Sequence, residues 1–237
     1  MYRLHPYSIF HLGDSALTID FGNLIDDELN KKVLQLFQYL KACGHAFIVD
    51  LVPAYSSLTV YYDVVALKKI NPAQTAFDTI SDLIHGQDFF MGTPVTKRTI
   101  EIPVCYSTRY ALDIDVFKEQ GIGPEELVAL HTARNYRVYM IGFLPGFAYM
   151  AEVDEKLVVP RKESPRIHVD PGSVGIAGKQ TGIYPLSSPG GWQIIGRTPL
   201  RLFDREKDNP VLLQPGDEVK FYSIGEDEFE NYQSRHS

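Results

Sequence analysis

The stretch DPGSVGIAGKQTGIYPLSSPGGWQIIGRTP, residues 170–199, is the part of this 237-residue chain that says most about its fold. Two segments in which glycine or proline also interrupts apolar residues precede it, RVYMIGFLPGFAYM at 137–150 and VVPRKESPR at 158–166. Glycine lets the backbone turn sharply or approach a ligand closely, and proline fixes the turns rigidly. Short apolar segments broken regularly by these residues predict a closed or nearly closed β-barrel with a rigid, shaped binding surface.

Further segments before and after this stretch extend the predicted barrel, beginning with an alternating strand at 98–104. We predict strands at 98–104, 136–142, 174–177, 182–185, 193–197, 200–203 and 218–222, and helices at 113–119 and 124–133. The sequence Gln214-Pro215-Gly216-Asp217 predicts a turn into the last strand. The chain after Gly225 is polar and acidic, and we expect it to fray.

The first part of the chain, about 90 residues, predicts a smaller α/β unit. Strands are expected at 15–21, 47–52 and 57–62, with helices at 26–42 and from Pro72 to about His85. This order is compatible with a split β-α-β arrangement of the ferredoxin-like kind. Gly92-Thr93-Pro94 is the best boundary, so the predicted α+β chain has a ferredoxin-like domain at 1–92, a barrel at 93–225 and an acidic tail at 226–237.

Composition narrows the class of partner. The formal net charge is -7, which argues against nucleic acid. Residues 131–205 nevertheless carry 10 Lys/Arg against 6 Asp/Glu, a pattern that suits a small anion, an acidic face of a partner protein or simply solvated side chains. No apolar run is long enough for a membrane span and the N-terminus lacks a signal core, so we expect a soluble cytoplasmic protein. Cys43 and Cys105 are interpreted as ordinary thiols.

Several catalytic motifs are absent from the sequence. Gly172 to Lys179 resembles a phosphate loop, but five residues separate Gly172 from Gly178 and Gln180 replaces the Ser/Thr that would hold magnesium. Neither G-x-S-x-G nor G-x-G-x-x-G occurs, and the seven histidines are scattered, so no metal site is expected. These absences favour a binding or site-sharing role over a self-contained enzyme.

A few side chains in the glycine-rich region stand out as candidates. His131, near a helix end, is either a packing residue or a protonated acid/base group. The aromatic residues at 143, 147, 149 and 192 form either barrel core or a docking wall. Arg161 and Arg166 lie in a proline-braced loop, where each guanidinium either is solvated or matches a carboxylate or phosphate.

The segments GFLPGFAYM (142–150), PRKESPR (160–166), GSVGIAGKQTGIYPLSSPGGWQIIGRTP (172–199) and LLQPGDEVKF (212–221) resemble the KipI family. This family is also called allophanate hydrolase subunit 1, and it includes the B subunit of 5-oxoprolinase. The resemblance covers nearly the whole chain. It implies a ferredoxin-like first domain, a cyclophilin-like β-barrel second domain, and association with the A and C subunits of an ATP-dependent 5-oxoprolinase.

The resemblance also implies a set of residues that line a cleft, and the motifs do not settle their individual roles. The expected catalytic residues are His131, Arg161 and Arg166. The expected substrate- or partner-binding residues are Phe143, Pro145, Phe147, Gly172, Ser173, Gln180, Tyr184, Trp192 and Arg197. ATP is expected to be bound mainly by a partner, because the phosphate loop is missing.

Three functions remain open at this point. The leading hypothesis is the oxoprolinase subunit, which would help to open 5-oxo-L-proline to L-glutamate. The second is inhibition of a sensor histidine kinase, with Phe143, Phe147 and Trp192 as the docking anchor. The third is a carboxyltransferase-type subunit of a biotin-dependent urea carboxylase-like system.

Overall fold

The computed structural model describes residues 7–85 and 98–235, with side chains through residue 232. The chain divides into two compact units, Met1–Thr96 and Lys97–Ser237. The boundary predicted at residues 92–94 lies outside the described residues, so it stays a prediction.

Over its described residues, 7–85, the first unit combines one sheet with three helices. Its elements are β1 (Ser8–His11), β2 (Ala16–Asp20), α1 (Asp27–Cys43), β3 (Ile48–Pro53), β4 (Ser57–Tyr62), α2 (Val64–Ile70) and α3 (Ala76–His85). The strands form an antiparallel sheet in the order β1-β2-β4-β3. Because β4 lies between β2 and β3, which α1 connects, these strands form a split β-α-β unit.

Helix α1 shows why the sequence predicted this unit well. The Asp26 carboxylate accepts hydrogen bonds from the main-chain N–H groups of Glu28 and Leu29, each at 2.9 Å. Gly44 ends the helix with φ 61°, a left-handed conformation that favours glycine. The helix buries one apolar face, which packs against the strands. Its buried apolar residues are Val33, Leu34, Leu36 and Leu40.

Two elements of the first unit were not predicted, and one begins late. Strand β1 and helix α2 have no strong periodic pattern. Helix α3 begins at Ala76 rather than Pro72, because the Thr75 hydroxyl caps it by accepting from the main-chain N–H of Asp78 at 3.0 Å.

The second unit is rich in short strands. Its elements are β5 (Thr99–Val104), α4 (Ile114–Glu119), α5 (Pro124–Thr132), β6 (Asn135–Ile141), β7 (Ala148–Ala151), β8 (Arg166–Val169), β9 (Ser173–Ala177), β10 (Gln180–Ile183), β11 (Ser188–Gly190), β12 (Gln193–Arg197), β13 (Glu218–Ser223) and α6 (Glu226–Arg235). A 3-10 turn at Glu155–Leu157 lies between β7 and β8.

Seven of these strands form a nearly closed barrel. The order is β12-β9-β10-β7-β6-β13-β5, in which β13 and β5 pair in parallel and the other neighbours pair antiparallel. Cys105, just after β5, exchanges main-chain hydrogen bonds of 2.8 and 3.0 Å with Arg197 at the end of β12. These bonds join the two edge strands, so the prediction of a nearly closed barrel is confirmed. Strands β8 and β11 form a separate ribbon.

Two predictions for the second unit were wrong. Residues 200–203 form no strand, because Leu202 turns into the barrel core and only Phe203 makes an isolated bridge, to Val211. The acidic tail does not fray over residues 226–235 but forms α6. Phe229 anchors this helix by burying its ring completely beside Cys105 and Ile224.

Candidate functional site

Glycines create a floor for aromatic rings on the outer face of the barrel sheet. Gly182 of β10 lies opposite Gly175 of β9. A Cβ atom on Gly182 would lie 3.0 Å from the Trp192 ring and 3.1 Å from the Phe147 ring. Gly182 therefore leaves room for two rings that a larger residue would displace, and Gly175 leaves room for the Trp192 Cβ, which would lie 3.1 Å from a Cβ at that position.

The aromatic residues predicted as a group do come together. The Phe147 ring lies 5.2 Å from the Tyr184 ring and 5.4 Å from the Trp192 ring, both edge-on, and 4.8 Å from the Tyr149 ring. Phe147, Tyr184 and Trp192 are buried. We call Phe147, Tyr149, Tyr184 and Trp192 the aromatic cluster; it is a packed base, not a wall open to solvent.

Phe143 is the aromatic side chain that this region offers to solvent. It is 62% exposed and meets the Phe147 ring edge-on at 5.6 Å. Its φ is 68°, and the main-chain N–H of Leu144 donates to the Gly142 carbonyl at 2.8 Å, which defines a tight turn centred on Phe143. Positive φ is strained for a bulky residue. The fold thus holds an apolar ring outward at a cost in backbone energy.

Arg161 supplies the accessible positive charge beside the cluster. Its exposed guanidinium lies 6.0 Å from the centre of the Trp192 ring, in cation–π range. No ion pair to Arg161 is found within residues 7–85 and 98–235. Burial raises the pKa of the Tyr149 hydroxyl, and the charge of Arg161 opposes that rise. A free guanidinium against an aromatic base suits recognition of a carboxylate.

Arg166, by contrast, is already engaged. Its two terminal nitrogens donate to the Asp113 carboxylate at 2.7 and 2.8 Å. The Lys162 ammonium donates to the same carboxylate at 2.9 Å. Burial raises the pKa of the Tyr184 hydroxyl, and a main-chain hydrogen bond from Trp192 and the charges of Arg161 and Arg166 oppose that rise. The two predicted arginines therefore flank one cluster, but only Arg161 has its guanidinium free of a carboxylate in the described structure.

His131 does not reach this surface. It is fully buried in α5, where Nδ1 lies 2.8 Å from the Tyr106 hydroxyl and Nε2 lies 3.0 Å from the Thr181 hydroxyl. The Thr181 hydroxyl donates to the Gly175 carbonyl, so it accepts from His131 Nε2–H, and Nδ1 accepts from Tyr106. Burial lowers the pKa of His131 to about 3. The protonated imidazole considered from the sequence is replaced by a neutral ring in a satisfied core network.

The remaining predicted residues mostly shape the backbone around the cluster. The Gly172 N–H donates to the Tyr184 carbonyl at 2.7 Å, and the Tyr184 N–H donates to the Ser173 carbonyl at 2.9 Å. Arg197 donates to the Pro171 carbonyl at 2.8 Å and pairs with Asp170 at 3.2 Å. Pro145 lies in the turn closed by the Phe147 N–H on the Leu144 carbonyl, and Gln180, at the start of β10, is half-buried.

Sequence reasoning missed Asp113, Lys162 and the two floor glycines. In the sequence Asp113 is only the first residue of a predicted helix, and its partners lie 49 and 53 positions further along the chain. The sequence gives one indication of such a carboxylate: three cationic residues lie close together in PRKESPR, and a nearby acidic residue would be expected to balance their charge.

No nucleotide cradle forms at the segment that resembled a phosphate loop. Residues 173–177 are strand β9, and Gly178 and Lys179 form the turn into β10. A phosphate loop requires a strand, a loop and then a helix N-terminus. Across the described ranges there is also no cluster of His, Cys, Asp and Glu that could hold a metal ion, and no helix that could span a membrane.

Known proteins are similar to this chain in sequence and in fold. The family model described as carboxyltransferase domain, subdomain C and D, matches residues 7–213. The chain belongs to this family. It is 40% identical over 231 residues to the 5-oxoprolinase B subunit of Bacillus subtilis (strain 168), covering 95% of this chain and 96% of that protein. It is 36% identical to the 5-oxoprolinase B subunit of Escherichia coli O157:H7, covering 89% and 93%. These relatives confirm the resemblance predicted from the motifs.

Solved structures support the fold. The structure of TTHA0988 superposes with a TM-score of 0.77 at 35% identity over 88% of this chain, which spans 40% of the TTHA0988 chain. The urea carboxylase of Kluyveromyces lactis superposes with a TM-score of 0.66 at 17% identity, covering 95% of this chain and 22% of that one. The second match shows a shared fold alone.

Proposed function

We propose that this chain is the B subunit of an ATP-dependent 5-oxoprolinase that converts 5-oxo-L-proline to L-glutamate. The proposal is supported by relatives of that name that match most of the chain at 36–40% identity. The site observation that carries it is the free Arg161 guanidinium over the Trp192 ring. 5-Oxoproline is a small ring bearing one carboxylate, so a cation beside an apolar base fits its two parts.

Arg161 is the residue we assign to the substrate carboxylate. Arg166 shares its charge with Lys162 and Asp113, so we assign it to holding the loop rather than the substrate. Phe143, whose exposed ring meets the Phe147 ring edge-on, would contact the apolar part of the substrate ring. His131 is buried and neutral, so we assign it no proton transfer with the substrate.

ATP and further subunits are part of the same proposal. Opening an unstrained lactam is unfavourable without coupling, and ATP would supply that coupling by activating the amide oxygen. Residues 172–179 do not fit a polyphosphate, since they form a β-hairpin. We therefore place nucleotide binding on the A and C partner subunits. We also propose that the first unit has a ferredoxin-like fold and that the barrel has a cyclophilin-like fold.

The family description favours a second candidate function, carboxyl transfer. The matching model is described as a carboxyltransferase domain, and the urea carboxylase has the same fold. The kinase-inhibitor hypothesis gains less, because two of its three anchor rings, Phe147 and Trp192, are buried. Both alternatives predict no ATP-dependent glutamate release.

The test uses the chain assembled with its A and C partners. Arg161→Met should raise the KM for 5-oxoproline by about tenfold to a hundredfold, the value of a hydrogen bond to a charged group. Arg205→Met is the matched control, since Arg205 is an exposed arginine in the same unit, and it should leave the KM unchanged. An R161M complex with an undiminished kcat/KM would remove Arg161 from the substrate site.

A further inference from the structure

The buried carboxylate of Asp113 has an unusual set of partners. Asp113 directly precedes α4 and is 5% exposed, yet it makes no side-chain capping bond to its own helix. Instead Oδ1 accepts from Lys162 at 2.9 Å and from Arg166 at 2.7 Å. Oδ2 accepts from Arg166 at 2.8 Å and from the main-chain N–H of Ile194 at 2.6 Å. An aspartate at this position usually caps the helix, so its use elsewhere marks another role.

These four bonds keep the carboxylate charged. Burial by itself would raise the pKa of Asp113, but the hydrogen bonds from Arg166, Ile194 and Lys162 outweigh it and hold that pKa below its ordinary value. The two parallel hydrogen bonds between Arg166 and Asp113 also fix the orientation of the Arg166 side chain, because a planar guanidinium and a carboxylate meet in one geometry. Asp113 therefore ties three separate stretches of chain to one point.

The loop tied in this way carries Arg161. Residues 160–166 read Pro-Arg-Lys-Glu-Ser-Pro-Arg, so one tether adjoins Arg161 and the other ends the loop. Two further hydrogen bonds complete the attachment: the Lys162 main-chain N–H donates to the Gly191 carbonyl at 2.7 Å, and the Gln193 side-chain amide donates to the Pro160 carbonyl at 3.1 Å. Gly191 and Gln193 flank Trp192, so the loop is fixed against the residues beside the indole under Arg161.

We propose that Asp113 is a positioning residue, which holds the 160–166 loop so that Arg161 stands over Trp192 ready to receive the substrate carboxylate. The assignment of the carboxylate to Arg161 rests on the proposed function; the tethering of the loop does not. A group held in place before binding gives tighter binding than one that must be ordered by the ligand. In this proposal Asp113 acts on the substrate indirectly, through Lys162 and Arg166 of the loop.

The first experiment needs no ligand or partner. Asp113→Asn keeps the shape and an oxygen for Ile194 N–H but removes the charge. Asp115→Asn is the matched control, because Asp115 lies on α4 with its side chain 82% exposed and pairs only with Lys118 among the described residues. Trypsin cleavage after Arg161 and Lys162, and acrylamide quenching of Trp192, the one tryptophan of the chain, report on the loop. Circular dichroism confirms that each variant is folded.

We expect D113N to be cleaved at the loop about tenfold faster than the wild-type chain and to show altered Trp192 quenching, because two charged tethers are lost. D115N should match the wild type in both assays. A D113N chain with wild-type cleavage and quenching would overturn the proposal.

The second experiment measures turnover by the complex with partner subunits. D113N should raise the KM for 5-oxoproline by about tenfold while kcat stays within about twofold, since the displaced group binds the carboxylate and not the reacting atoms. Lys162→Met should act in the same direction, and the D113N/K162M pair should be less than additive because both changes break one tether. A loosened loop with a wild-type KM, or an equal loss confined to kcat, would overturn the positioning role.

The two proposals fail separately. If the wild-type complex forms no glutamate, the proposed function fails, and the trypsin and quenching results alone decide whether Asp113 orders the Arg161 loop. If the wild-type complex is active and D113N behaves like D115N in every assay, only the Asp113 proposal fails.

Discussion

Lowering the pH should destabilise the barrel unit through one buried imidazole. The pKa of His131 is about 3 in the folded chain and 6.5 as the ordinary value. Below pH 6.5 His131 therefore binds a proton in the unfolded chain, whereas in the folded chain it stays neutral until about pH 3. The free energy of unfolding is therefore unaffected by His131 above pH 6.5, and it falls by about 1.4 kcal/mol per pH unit as the pH drops from 6.5 towards 3.

The magnitude is large enough to measure before the carboxylates titrate. Between about pH 7.5 and about pH 5 the free energy of unfolding should fall by about 2 kcal/mol from His131 alone. Urea unfolding followed by Trp192 fluorescence reports on the barrel unit, where the chain has its one tryptophan. His131→Gln supplies a donor and an acceptor but cannot titrate, so its unfolding free energy should be nearly flat over this range. If the unfolding free energy of the wild-type chain depended on pH as little as that of H131Q, His131 would not be a buried, neutral imidazole.

Three further predictions test backbone strain and packing. Phe143→Gly should be more stable than Phe143→Ala by about 1 kcal/mol in urea unfolding, since both remove the ring and only alanine keeps the strained Cβ at positive φ; equal stabilities would contradict the strain. Gly190→Ala should cost about 1–3 kcal/mol and Gly191→Ala much less, because a Cβ on Gly190 would meet the Tyr184 ring at 2.7 Å whereas one on Gly191 has 3.6 Å of room; equal melting temperatures would count against this packing. Phe229→Ala should cost about 3–5 kcal/mol by emptying a fully buried ring site, and a loss below about 1 kcal/mol would show that α6 is not anchored.

Local patterns predicted the fold better than the site. The α1 caps, the alternation of strand 57–62 and the regular spacing of glycine and proline are all encoded within a few neighbouring residues. Barrel closure through Cys105 and Arg197 and the anchoring of α6 by Phe229 depend on contacts between distant segments. No local pattern distinguishes a buried anchor in an acidic tail from a solvated one.

The site shows the same division. The sequence grouped Phe147, Tyr149 and Trp192, whose rings lie together, but the burial of Phe147 and Trp192 depends on Gly182 of β10, where a Cβ would meet both rings. The difference between a free Arg161 and an engaged Arg166 depends on Asp113, which lies about 50 residues earlier in the chain. His131 likewise takes its neutral state from Tyr106 and Thr181, which only the folded barrel places on either side of it.

The most direct test of the proposed function is an omission assay. The A and C subunits are combined with ATP and 5-oxo-L-proline, with and without this chain, and glutamate is measured. We predict glutamate release only when this chain is present, and loss of affinity for 5-oxoproline when it carries Arg161→Met. Equal glutamate release without the chain, or a stable three-subunit complex that releases none, would contradict the proposed function.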